Sequence, residues 1–123
     1  MGKRLKAKLF RIVNKYIAES PNCIREYIYK TNGLLLGKDS LILKSCRIDN
    51  PGLISIGKNS LVNRYCEFHT DDDLRATISI GDNTRIGFGV KFICVTHDTG
   101  DHNRRAGKLT YKPIKVGDGC WIG

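Results

Sequence analysis

Three histidines, three consecutive aspartates and a single tryptophan are the side chains of this sequence best suited to chemistry. His97 stands in a polar stretch, Val95-Thr96-His97-Asp98-Thr99-Gly100-Asp101-His102-Asn103-Arg104-Arg105, inside the longest break between regularly spaced apolar residues, from Phe92 to Val116. Imidazole exchanges a proton near neutral pH, so a histidine held there suits general-base work on an attacking hydroxyl. His69, His97 and His102 could instead hold zinc, which requires donors converging at about 2.0–2.1 Å from the metal. Asp71, Asp72 and Asp73 offer carboxylates to a polar substrate, or form a solvated acidic loop. Cys23, Cys46, Cys66, Cys94 and Cys120 are widely scattered with no CxxC pair. That spacing argues against a disulfide framework or a zinc knuckle and for buried thiols acting as small apolar residues.

The elements that would position these residues follow from a period of six. Apolar residues recur at Leu36, Ile42, Ile48 and Ile54, restart two residues out of step at Ile56, Val62 and Phe68, and return at Ile80, Ile86, Phe92, Val116 and Ile122. Four residues after most of them stands a small residue: Ser40, Cys46, Gly52, Ser60, Cys66, Thr84, Val90, Thr96 or Cys120. Glycine follows directly at Gly37, Gly57, Gly81, Gly87, Gly117 and Gly123. Such a pattern predicts short strands separated by corners, three units to a coil of eighteen residues, with each apolar residue stacked on its equivalent one coil away. Glycine and asparagine are expected to supply positive φ at the corners. On this count Ile80 to Val116 spans two coils, and the interval from Ile56 to Ile80 carries a six-residue excess around residues 69–76. The expected fold is an all-β solenoid over residues 33–123, with an inserted loop at about 97–113. On that frame the separation of His69 from His97 is no multiple of eighteen, which disfavours a shared zinc site.

Residues 1–32 read as a helical arm. At about 100° per residue, Leu5, Leu9, Phe10, Ile12, Val13, Tyr16 and Ile17 share one broad arc, with Arg4, Lys8, Arg11 and Lys15 opposite and Lys6 intruding. Ser20-Pro21-Asn22 ends this helix, and a second stretch from Asn22 to about Lys30 stops at Asn32-Gly33. Residues 1–30 hold eight Lys or Arg against Glu19 and Glu26, while the rest of the chain is nearly balanced, within a formal net charge of +9. No stacking-aromatic pattern or DNA-reading motif accompanies the charge, so nucleic acid is not an expected partner. The apolar arc is expected to pack on the body or a neighbouring subunit, with peripheral membrane contact through residues 3–18 as the other outcome. With no apolar run long enough to span a bilayer and no signal-peptide pattern, the expected compartment is the cytoplasm.

The stretch VTHDTGDHNRRAGKLTYKPIKVGDGCWIG resembles the signature of the maltose, galactoside and nodulation-factor O-acetyltransferases, members of the hexapeptide-repeat acyltransferases. The resemblance covers roughly residues 33–123. It implies a left-handed parallel β-helix, an exception to the right-handed crossover rule, and a homotrimer with active sites between subunits. It implies acetyl-CoA as acyl donor, a saccharide hydroxyl as acceptor and no required metal. It makes His97 the general base, places Asn63 and Asp71 on the acceptor side (Asp72 and Asp73 remaining open), sets Trp121 beside the pantetheine arm and puts Gly123 on the coenzyme side. The repeat stops at Trp121-Ile122-Gly123, where such enzymes continue for further coils. A truncated, catalytically impaired scaffold is therefore the alternative expectation, and a γ-type carbonic anhydrase using the three histidines is a more remote one.

Overall fold

The computed structural model describes residues 2–71, 73 and 75–123. It opens with two helices, α1 (Lys3–Glu19) and α2 (Asn22–Thr31), parted by Ser20 and Pro21. Gly33 terminates α2 in the left-handed region, φ 102°. The Gly33 N–H donates to the Lys30 carbonyl and the Leu34 N–H to that of Tyr29, the paired bonds of a Schellman stop.

Eleven short strands then enter three parallel sheets in strict rotation. The first sheet takes β1 (Leu35–Leu36), β4 (Ile54–Ile56), β7 (Ile78–Ile80) and β12 (Ile114–Val116). The second takes β2 (Leu41–Ile42), β5 (Leu61–Val62), β8 (Arg85–Ile86) and β13 (Trp121–Ile122). The third takes β3 (Arg47–Ile48), β6 (Glu67–His69) and β9 (Lys91–Ile93). Between β9 and β12 stands an antiparallel pair, β10 (Val95–Thr99) and β11 (Ala106–Tyr111). The chain is thus mostly parallel sheet with two helices.

The register turns the period of six into columns of side chains. Ile42, Val62, Ile86 and Ile122 pair in one column, Ile48, Phe68 and Phe92 in another, and Leu36, Ile56, Ile80 and Val116 in a third. Most of these are buried, and residues of all three sheets meet in one hydrophobic cluster. Phe68 and Phe92 stack with centroids 5.0 Å apart.

Three expectations change in detail. Ile80 pairs directly with Val116, so their interval is a single step between neighbouring strands, lengthened by the β10–β11 hairpin, and not two coils. The region expected as a loop at 97–113 is largely that hairpin, and Thr96 lies exposed within it, away from any inward corner. The two-residue offset before Ile56 is the extra 3-10 turn Pro51–Leu53.

The corners follow the expectation in part, with Asn59, Asn83, Gly89 and Gly119 in the left-handed region. Positive φ falls at Asp39, Ser45, Asn59, Tyr65 and Asn83, and at Gly89 and Gly119, whereas the repeated Gly37, Gly57 and Gly81 are absent from that set. Those glycines are required by close approach instead: a Cβ on Gly37 would lie 2.4 Å from the carbonyl carbon of Gly57, and one on Gly81 2.6 Å from that of Gly117. The small residues are also more than space-savers. Ser40 Oγ donates to the Gly57 carbonyl and accepts from the Ser60 N–H. Ser60 Oγ does the same toward Gly81 and Thr84, and Thr84 Oγ1 toward Gly117 and Cys120. This hydroxyl ladder satisfies backbone groups that the strand pairing leaves over.

The arm covers strand edges. Arg25, almost fully buried, donates from Nε and Nη2 to the Ile42 carbonyl of edge strand β2. Asn14 Nδ2 donates to the Ile48 carbonyl of edge strand β3 at 3.0 Å. Phe10, Ile17 and Tyr29 join the same hydrophobic cluster as the sheets. An edge covered this way cannot recruit a further strand. Among the described residues no helix is long and apolar enough to cross a membrane.

Candidate functional site

The hairpin that carries His97 leaves the third sheet directly after β9. Its strands pair Val95 with Tyr111, Thr96 with Thr110 and His97 with Leu109, after which the register shifts before Thr99 meets Ala106. This bulge sits beside His97. Bulges re-aim the side chains next to them and are frequent near active sites. Two glycines make the fold-back feasible: a Cβ on Gly100 would lie 2.0 Å from the Arg104 carbonyl oxygen, and one on Gly107 2.8 Å from that of Asp98. His97 is exposed, and among the described residues no hydrogen bond occupies its ring. His102 is exposed as well, beyond the bulge.

A second group of residues grips the base of the hairpin. The Asp71 carboxylate is buried: its Oδ1 accepts the N–H groups of Arg75 and Ala76 at 2.8 and 3.1 Å, and its Oδ2 accepts Arg75 Nε at 2.9 Å. Burial pushes this carboxyl up, but the Arg75 side chain and the two N–H groups outweigh it and hold it below the usual value. The Arg75 guanidinium then lies 3.9 Å from the Tyr111 ring, opposite Val95. From the other side, Asn50 Nδ2 donates to Thr70 Oγ1 and to the Asp71 carbonyl. Asp73 pairs with Arg75 at 3.1 Å and with Arg4 of α1. Asp72 lies outside the described residues. The turn after β6 is thus tied to the hairpin on one side and to α1 on the other.

The remaining candidates lie apart from this group. Asn63 is half-buried at the end of β5, where its Oδ1 accepts the Arg64 N–H and its carbonyl accepts the Cys46 thiol. Trp121 is 83% exposed on β13, in register with Arg85. Gly123 follows in the same segment, where a Cβ would meet the Trp121 ring at 3.9 Å. Two concavities of about 390 and 490 Å³ flank α1 and are lined by none of these residues.

His69 is committed elsewhere: Nδ1 lies 3.2 Å from Asp49 Oδ2 and Nε2 2.5 Å from Glu67 Oε2. The His69 ring and Lys91 hold the Glu67 carboxyl below its usual value against the opposing effect of burial. An imidazole flanked by two carboxylates has no nitrogen left for a metal. Among the described residues no three His, Cys, Asp or Glu side chains gather as a metal site.

No protein-family model matches the chain, and no curated protein matches it. The site therefore rests on its own geometry.

Arg75 is the residue that sequence reasoning passed over. The only signal was its spacing four after Asp71, and the Tyr111 face that gives it meaning comes from the far strand of the hairpin. Tyr65 was passed over too. It is 60% exposed and holds φ 63°, a conformation that costs an aromatic residue roughly 1–2 kcal/mol. It stands two residues after Asn63, at the corner where Ser45 and Gly89 of the neighbouring strands also hold positive φ.

Proposed function

We propose that the chain is an acyltransferase of the hexapeptide-repeat kind. In this reading the three parallel sheets close into a left-handed β-helix, and His97 is the base that drives acetyl transfer from acetyl-CoA to a saccharide hydroxyl. The observation that carries it is the placement of His97: exposed, beside a register shift, on a hairpin braced through Tyr111 by the Asp71–Arg75 pair. The strict rotation of strands through three sheets supports the coil, and the resemblance of residues 33–123 supplies its hand and the reaction.

His97 takes the acceptor O–H proton as that oxygen attacks the thioester carbonyl. The tetrahedral adduct collapses with loss of the coenzyme thiolate, and the imidazolium returns the proton to sulfur, leaving an acetyl ester and a free thiol. A base so placed contributes about 10²–10⁴ in rate, with orientation of the two substrates supplying much of the rest. Asp71, whose oxygens are already engaged, shapes the turn that supports the hairpin. Asn63, with Tyr65 beside it, faces the acceptor in a cleft completed by a neighbouring protomer of a trimer. Trp121 and Gly123 lie along the coenzyme.

The test is acceptor-dependent thiol release. Purified protein mixed with acetyl-CoA and a panel of mono- and disaccharides should release thiol and yield an O-acetyl ester, seen as a 42-dalton gain, on the order expected for acetylation chemistry. Thiol release at the same rate with and without every acceptor overturns the reading.

A further inference from the structure

We infer that α1 is a docking surface for an anionic lipid bilayer. Its apolar residues divide into two faces. Phe10, Ile17 and Ala18, with Asn14, are buried against the body. Leu5, Leu9, Ile12, Val13 and Tyr16 are not: Ile12 is 69% and Tyr16 68% exposed, and the other three are about half exposed. At 100° per residue these five side chains cover about 100° of the helix circumference, turned away from the buried face. A contiguous apolar stripe of this size on a helix surface is an interaction site.

The charges around the stripe select the partner. Arg4, Lys8, Arg11 and Lys15 fall in one row along its edge, and Lys6 stands on the opposite edge. Within that row Arg4 and Arg11 reach back to Asp73 and Asp49 of the body. Lys3, Lys6, Lys8 and Lys15 make no ion pair among the described residues, and the helix contains no acid before Glu19. Lys15 lies 4.9 Å from the Tyr16 ring centroid, so a cation and an amphipathic ring are offered together. A greasy stripe bordered by unpaired lysines fits the headgroup and upper acyl region of a bilayer bearing negative lipids. A second copy of the same helix would instead set lysine against lysine. The polar contacts of Asn14 and Arg25 fasten the helices to the strand edges. Binding here would therefore hold the whole body at the membrane surface.

The experiment is vesicle co-sedimentation of the purified chain, with light scattering of the chain alone in parallel. It should pellet with vesicles of phosphatidylglycerol and phosphatidylcholine in equal parts, stay in solution with phosphatidylcholine alone, and be released as salt shortens the range of the attraction. Replacing Lys8 and Lys15 with glutamine should weaken binding roughly fivefold per lysine. Leu9→Ser with Ile12→Ser should weaken it by roughly tenfold or more. Because all four side chains are exposed, melting temperature and mass in solution should not move. Absence of binding to the anionic vesicles at low salt overturns the proposal. So does a fall in solution mass for the Leu9→Ser, Ile12→Ser variant, which would make this face a contact between copies.

Discussion

In the three parallel sheets, Ile42, Ile48, Val62, Phe68 and Ile86 are all but sealed from water, while along the hairpin from Val95 to Tyr111 no residue is fully buried. The corner between the first and second sheets repeats one solution: an inward aliphatic residue, a glycine pressed against the next strand's corner, and a hydroxyl that bonds both neighbours. The hairpin repeats nothing. It bulges between His97 and Thr99, closes on Gly100 and Gly107, and is braced at its base by Arg75 lying on Tyr111. The difference assigns the labour. Stacked columns give rigidity, and the hairpin that leaves them carries an exposed imidazole with no hydrogen bond among the described residues, an arrangement that suits the role proposed for His97.

The contrast breaks most easily in the body. Phe68→Ala removes a fully buried ring stacked on Phe92 and should lower unfolding stability by about 3–5 kcal/mol, measured by urea titration. His102→Ala, on the exposed part of the hairpin, should stay within about 0.5 kcal/mol of wild type in the same titration.

The junction of the two regions comes next. Asp71→Asn should cost about 1.5–3 kcal/mol, since a buried carboxylate loses charge-assisted bonds to Arg75 and Ala76. Because the folded carboxyl titrates below its ordinary value, its contribution is fully present above the unfolded value of about 3.9 and is lost as pH falls through the folded one. Wild type and variant should therefore differ by the same amount at neutral and mildly acidic pH and converge only in stronger acid. A gap that closed around neutrality would show that the Asp71–Arg75 brace is misread.

The columns were legible because apolar residues recur every six within each run, from Ile42 to Ile48 and from Val62 to Phe68, and the helical arm because its apolar arc and its Pro21 and Gly33 boundaries are local signals. What stayed hidden depends on contacts between residues remote in sequence. Gly57 and Gly81 stood out, but for the wrong reason: only the neighbouring strand reveals that a Cβ has no room. Ile80 and Val116 were counted two coils apart because the inserted hairpin is about as long as one coil. Thr96 fell into the repeat's frame by the same coincidence. The arm's apolar arc was visible as a whole, but its division between the body and an open face was not. For Arg75 the spacing from Asp71 was the single local signal, and the Tyr111 ring it lies on comes from a remote strand.

A smaller effect than that at Asp71 sharpens the contrast at a single corner. Tyr65→Gly relieves the positive φ, offset by glycine's greater freedom when unfolded, for a net gain of about 0.5–1 kcal/mol in thermal melts. If Tyr65 faces the acceptor, KM for the saccharide should rise in the same variant; an unchanged KM removes it from the site.

The measurement closest to the centre of the account is steady-state acetyl transfer by His97→Ala. The ring is exposed and makes no hydrogen bond among the described residues, so melting temperature and assembly should match wild type. The turnover number should fall by about 10²–10⁴. Turnover at the wild-type rate in a folded His97→Ala protein would contradict the account.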